Sequence, residues 1–184
     1  MIPKWKEILK APVWNMPRVP DNTRTLATYK TYEIGKNIEI YYPYRGHPRK
    51  PKGLWYGFGD SWLHWISYNM EGLSNTYNNV YEIKVTGNIL KLITKEEHKE
   101  FYENYKKSED YDDDELIEWK RVQRDYDGIE VRAGDFSPFE KVDEKGLKWL
   151  DPFDVNSGCV WTGTVTVVKN LFSKENNPQW EEVE

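Results

Sequence analysis

Pro51-Lys52-Gly53-Leu54-Trp55-Tyr56-Gly57-Phe58-Gly59-Asp60-Ser61-Trp62-Leu63-His64-Trp65-Ile66 decides the fold, because its character changes halfway along. Residues 54–58 are an aromatic run between glycines and read as a short strand. From Ser61 onward, Trp62, Trp65 and Ile66 mark one face of a helix that Asp60 or Ser61 can cap. Glycine lets a backbone turn sharply or approach a ligand, and aromatic rings supply a flat apolar wall. The stretch therefore reads as a pocket wall, or else Trp55, Trp62 and Trp65 are core side chains of a small domain.

Upstream of it, Pro43, Gly46, Pro48 and Pro51 enforce a loop that carries Arg45, His47, Arg49, Lys50 and Lys52. That basic run either receives a phosphate group or is simply solvated. Residues 26–34 alternate in part, and residues 37–42 set Ile38, Ile40 and Tyr42 against Asn37, Glu39 and Tyr41. A period of two predicts strands, with Gly35-Lys36 as the turn between them. Residues 1–25 contain Pro3, Pro12, Pro17 and Pro20, which leaves an arm anchored by Trp5, Val13 and Trp14.

Downstream, Val80-Tyr81-Glu82-Ile83-Lys84-Val85 is the clearest strand. Gly87-Asn88 is a turn from which Ile89-Leu90-Lys91-Leu92-Ile93 returns as another short strand. Thr94 stands three residues before Glu97, a capping box for a helix containing Phe101, Tyr102 and Tyr105. Leu116, Trp119, Lys120 and Gln123 belong to a further helix that ends before Gly128. Gly128-Ile129-Glu130-Val131 restarts a strand, and its phase sets whether Glu130 faces solvent or a site. Residues 164–168, rich in Thr and Val, form the last evident strand. This order predicts an α+β domain with mainly antiparallel pairing over residues 26–172, following an N-terminal arm over 1–25 and preceding a polar tail over 173–184.

The chain has 184 residues, enough for one domain with a sizeable core, and 15% of them are aromatic. A formal net charge of -5 weighs against general nucleic-acid binding, which needs a concentrated positive surface. The lone Cys159 excludes an internal disulfide framework, and with three histidines it leaves little material for a metal site, so no metal is expected. No apolar run approaches about 18 residues. A cytoplasmic protein without a membrane partner is the expectation.

Other chemistries are weaker. Cys159 follows a Ser-Gly turn, but a reactive thiolate needs a base or positive dipole that His47, His64 and His98 are not placed to give. The acidic run Asp110, Asp112, Asp113, Asp114 and Glu115 lacks the glycine and distal glutamate of a calcium loop. Gly57-Phe58-Gly59 alone does not define a nucleotide site.

Lys52-Gly53-Leu54-Trp55-Tyr56, followed by Ser61, resembles the Lys-Gly-Ile-Tyr-Phe segment and following serine of the ADP-ribosyltransferase superfamily, poly- and mono-transferring alike. Residues 80–85 with Gly87-Asn88 are similar to the strand that comes next there, and Asp127-Gly128-Ile129 resembles the Asp-Gly-Ile element before the last strands. Across residues 45–162 the chain also resembles phage, viral and bacterial proteins that share Lys-Pro-x-Gly-Leu-Trp, Tyr-Asp-Gly-Ile-Glu and Ser-Gly-Cys-Val-Trp segments.

The resemblance implies a split, mainly antiparallel sheet with flanking helices, and transfer of ADP-ribose from NAD to an acceptor with release of nicotinamide. It implies that Trp55 or Tyr56 supplies a ring for the nicotinamide, beside Gly53 and Trp62. Ser61 would hold a hydroxyl or phosphate, and Arg45 and His47 would reach the diphosphate or ribose. The carboxylate is assigned to Glu130, with Asp154 in reserve. Members of the superfamily usually carry the decisive glutamate at the start of a later strand, where this chain has Ser157, Gly158 and Cys159. Their early strand brings in an arginine or histidine, a place that Arg24 or Tyr32 can fill here. The acceptor is expected to be a protein or small molecule rather than nucleic acid. The alternative function is a catalytically inactive binding or inhibitor protein with an aromatic cleft.

Overall fold

The alternation read in residues 80–85 produces the longest ladder in the computed structural model, bulged between Val80 and Tyr81 and between Glu82 and Ile83; the model describes residues 18–40, 49–63, 65, 77–107, 117–136, 141, 144 and 146–173. The strands are β1 (Arg24–Thr28), β2 (Asn37–Ile38), β3 (Leu54–Phe58), β4 (Asn79–Thr86), β5 (Ile89–Leu92), β6 (Gly128–Val131), β7 (Ser157–Val160) and β8 (Thr164–Ser173). They form one eight-stranded sheet in the order β2-β8-β4-β1-β3-β7-β6-β5. Every neighbouring pair is antiparallel except β5 and β6. The helices α1 (Lys95–Tyr105) and α2 (Trp119–Asp125) lie between β5 and β6 in the chain and supply the crossover that a parallel pair needs. The α+β class and mainly antiparallel pairing are as expected. The ladder is unbroken where a split was expected, because β1 and β3 pair at its middle through Arg24↔Phe58 and Thr25↔Gly57.

The return predicted at Ile89 takes a different course. Gly87 and Asn88 alone join β4 to β5, yet these strands stand five places apart in the sheet. In a flat sheet that separation is about 24 Å, whereas the three steps from Thr86 to Ile89 span at most about 11 Å. The sheet must therefore coil. Its inner face gathers Leu26, Tyr56, Phe58, Ile83, Val160 and Val165 from five strands into one buried cluster. Its outer face sets Leu92, Ile129, Val131 and Cys159 against Phe101 of α1, Val122 of α2, and Trp149 and Phe153 from the segment before β7.

Helix α1 starts as its sequence dictates. The Thr94 hydroxyl accepts from the Glu97 backbone N–H at 3.2 Å, and the Glu97 carboxylate accepts from the Thr94 N–H at 2.8 Å. The expected strand over 37–42 is described only to residue 40 and pairs at Asn37–Ile38, while β1 starts at Arg24, inside the segment read as an arm. Ser173, expected in the tail, is the last residue of β8, and the acidic run at 110–115 and the tail from 174 lie outside the described residues.

Asp127 pins the coil. One carboxylate oxygen accepts from the Asn88 N–H at 2.7 Å and the other from the Thr162 hydroxyl at 2.7 Å, tying the β4–β5 turn to the turn after β7. Those two bonds hold its pKa below the ordinary value. A carboxylate depressed on folding adds stability above its unfolded pKa of about 3.9 and loses it as pH falls through the folded value. Asp127→Asn is therefore expected to be less stable than the unmodified protein at neutral pH, with the gap closing below about pH 4. Urea unfolding at several pH values measures it, and a constant gap contradicts the assignment.

Candidate functional site

Period two places Tyr56 and Phe58 of β3 on the inner face, with Glu130 of β6 two strands away. The residue between them, in register with both, is Gly158 of β7. A Cβ there would stand 2.5 Å from Tyr56 Cε2 and Oη, so the phenol lies directly across bare backbone. It reaches Glu130 and donates to Oε1 at 2.8 Å. Arg24, on β1, donates from Nε to the same oxygen at 2.6 Å. Arg24 and Glu130 are three strands apart, about 14 Å in a flat sheet. Their contact therefore depends on the coil.

Neither bond uses Oε2 of Glu130, whose side chain is 9% exposed against 25% for Arg24. Burial alone lowers the Arg24 pKa, but the hydrogen bond and charge of Glu130 outweigh it and raise the value. Burial, then the charge and hydrogen bond of Glu130, push the Tyr56 phenol far above its ordinary value. Tyr56 is thus a permanent donor, unable to act as a base in the working range. The arrangement is a carboxylate with one oxygen fixed by two donors and one oxygen available to a ligand.

The remaining sequence-predicted residues lie elsewhere. Trp55 points to the opposite face from Tyr56, where its ring packs 5.6 Å from that of Phe153 and Lys50 Nζ sits 5.3 Å above it. The two rings cannot wall one ligand together. Trp62 packs over Gly57 on that same outer face, its Cβ filling the place of the missing side chain, with its ring 5.8 Å from that of Trp65. The Ser61 hydroxyl donates to the Phe58 carbonyl at 2.7 Å, which ties the start of the helical turn to the end of β3. Gly53 permits a strand approach that a Cβ would block at Val160 O and Cys159 Sγ. Asp154 is exposed, with Lys50 and Lys141 as its charged neighbours. Arg45 and His47 lie outside the described residues. Of the two residues named for the early-strand place, Arg24 meets Glu130, whereas Tyr32 sets its ring edge against Tyr81 at 5.8 Å.

Sequence reasoning missed Arg132. Its guanidinium carbon stands 4.4 Å from the centre of the Phe58 ring. The available signal was its position two residues beyond Glu130, which continues the phase of β6. Cys159 is fully buried, and burial pushes its thiol pKa far up. Native protein is expected to resist alkylation by iodoacetamide at pH 8 and to react once unfolded in urea, as mass spectrometry can measure; rapid native labelling contradicts this.

Among the described residues no group of His, Cys, Asp and Glu is placed to hold a metal ion, and no helix is long and apolar enough to cross a membrane. Comparison with family models, curated proteins and solved structures finds no match to this chain.

Proposed function

We propose that the inner face of the sheet binds NAD and transfers its ADP-ribose to an acceptor, releasing nicotinamide, on an ADP-ribosyltransferase-like fold. The observation that carries this reading is the union of Arg24, Tyr56 and Glu130 at one carboxylate oxygen. In the reaction the bond from the ribose C1′ to the nicotinamide nitrogen breaks and the electron pair leaves with nicotinamide. Positive charge develops on the ribose, where a preorganised carboxylate lowers the barrier. The free Oε2 of Glu130 takes that role, and the acceptor forms the new bond to C1′ as its proton passes to water. Tyr56 is a positioning residue: its hydroxyl is committed to Glu130 and its ring is 1% exposed.

The second reading, an inactive binding or inhibitor protein, is favoured by one observation. Trp55 and Trp62 sit on the face opposite Glu130, so they serve no reaction there.

Labelled NAD incubated with a host lysate separates the two. Label transfer and nicotinamide release are expected from the unmodified protein and from Asp154→Asn, and are lost in Glu130→Gln. Loss in Asp154→Asn alone, or no NAD binding by calorimetry, overturns the proposal.

A further inference from the structure

We infer that Arg132, seated over the ring of Phe58, forms a phosphate-binding site beside Glu130. The inference concerns the ligand of the inner face and deepens the reading just given. Arg132 follows Val131 at the end of β6, so it continues the phase of Glu130, and its guanidinium covers Phe58 at 4.4 Å from the ring centre. Arg24 stands directly opposite Phe58 across the β1–β3 pair. Arg24 turns its own side chain to Glu130, which leaves Arg132 as the cation over the ring.

Among the described residues the charges on this face do not balance. Arg24 is paired with Glu130, and none of the ion pairs among the described residues uses Arg132. Lys91, in register with Glu130 across the β5–β6 pair, adds a further exposed cation to the same face. Among the described residues, two guanidinium groups and an ammonium thus share this face with one carboxylate. Arg132 is half-buried and seated over an aromatic ring, a contact that restrains it without using its donors. A planar fork of fixed donors matches the paired oxygens of a phosphate, and holding it in place beforehand reduces the entropy lost on binding.

The phosphate belongs either to the dinucleotide or to a phosphorylated acceptor, and the probes distinguish them. Calorimetry is carried out with inorganic pyrophosphate, ADP and adenosine on the unmodified protein, Arg132→Gln and Arg132→Lys. Pyrophosphate is expected to bind the unmodified protein, about tenfold or more weakly to Arg132→Gln, and with intermediate affinity to Arg132→Lys, which keeps the charge but loses the fork. ADP binding far more tightly than pyrophosphate, with the same dependence on Arg132, assigns the phosphate to the nucleotide; equal affinities assign it to the acceptor. Either pattern supports the site. Pyrophosphate failing to bind, or binding Arg132→Gln unchanged while the variant keeps the unmodified thermal stability, overturns it. Arg132-dependent binding without nicotinamide release from NAD leaves the phosphate site standing and removes the transferase reading; release that is indifferent to Arg132→Gln does the reverse.

Discussion

Gly158→Ala is expected to lower the unfolding free energy by about 3 kcal/mol, although it adds one methyl group. The new Cβ would stand 2.5 Å from Tyr56 Cε2 and Oη, and Tyr56 is 1% exposed, with no open space into which to retreat. Strand β7 cannot withdraw either, since it is paired on one side with β3 and on the other with β6. The phenol must leave Glu130, so Glu130 loses a donor while remaining buried. A double-mutant cycle tests the cause. In a Tyr56→Ala background the ring is gone and the same substitution is expected to cost much less, giving a coupling of 1 kcal/mol or more in the order of magnitude seen for side chains in contact. Additive losses in urea unfolding contradict the account.

Arg24→Met is expected to destabilise by about 2 kcal/mol, below the full cost of orphaning a buried charge because Arg24 is partly exposed. The loss arises less from the missing attraction than from Glu130, left as a carboxylate with Tyr56 as its remaining partner. Adding Glu130→Leu removes the stranded charge and is expected to restore much of the stability. If the double variant is less stable than Arg24→Met by the full cost of a lone Glu130→Leu, the pair is not coupled and the site is misdescribed.

Local signals in the sequence carried a good part of the fold. The aromatic run at residues 54–58 is β3, the alternation at 80–85 lies within β4, and the Thr94–Glu97 capping box starts α1, because each depends on residues close in the chain. The coil of the sheet depends on β5 leaving β4 for β6, a choice made by helices and strands distant in sequence. For the same reason Glu130 was legible as a carboxylate in a short strand, but its partner Arg24 lies 106 positions away. Gly158 looked like an absence, the place where a familiar glutamate was missing. In the structure its lack of a side chain is what lets Tyr56 reach Glu130. The division of Trp55 from Tyr56 follows from strand alternation alone and was available from the sequence; reading the stretch as one wall obscured it.

The most direct test is a crystal structure of the protein soaked with NAD. The dinucleotide is expected on the inner face, with a ribose hydroxyl or C1′ within about 3 to 3.5 Å of Glu130 Oε2, the reach of a reacting pair. NAD seated on the outer face beside Trp55 and Trp62, or an inner face that stays empty at saturating NAD, would contradict the claim that Arg24, Tyr56 and Glu130 form its site.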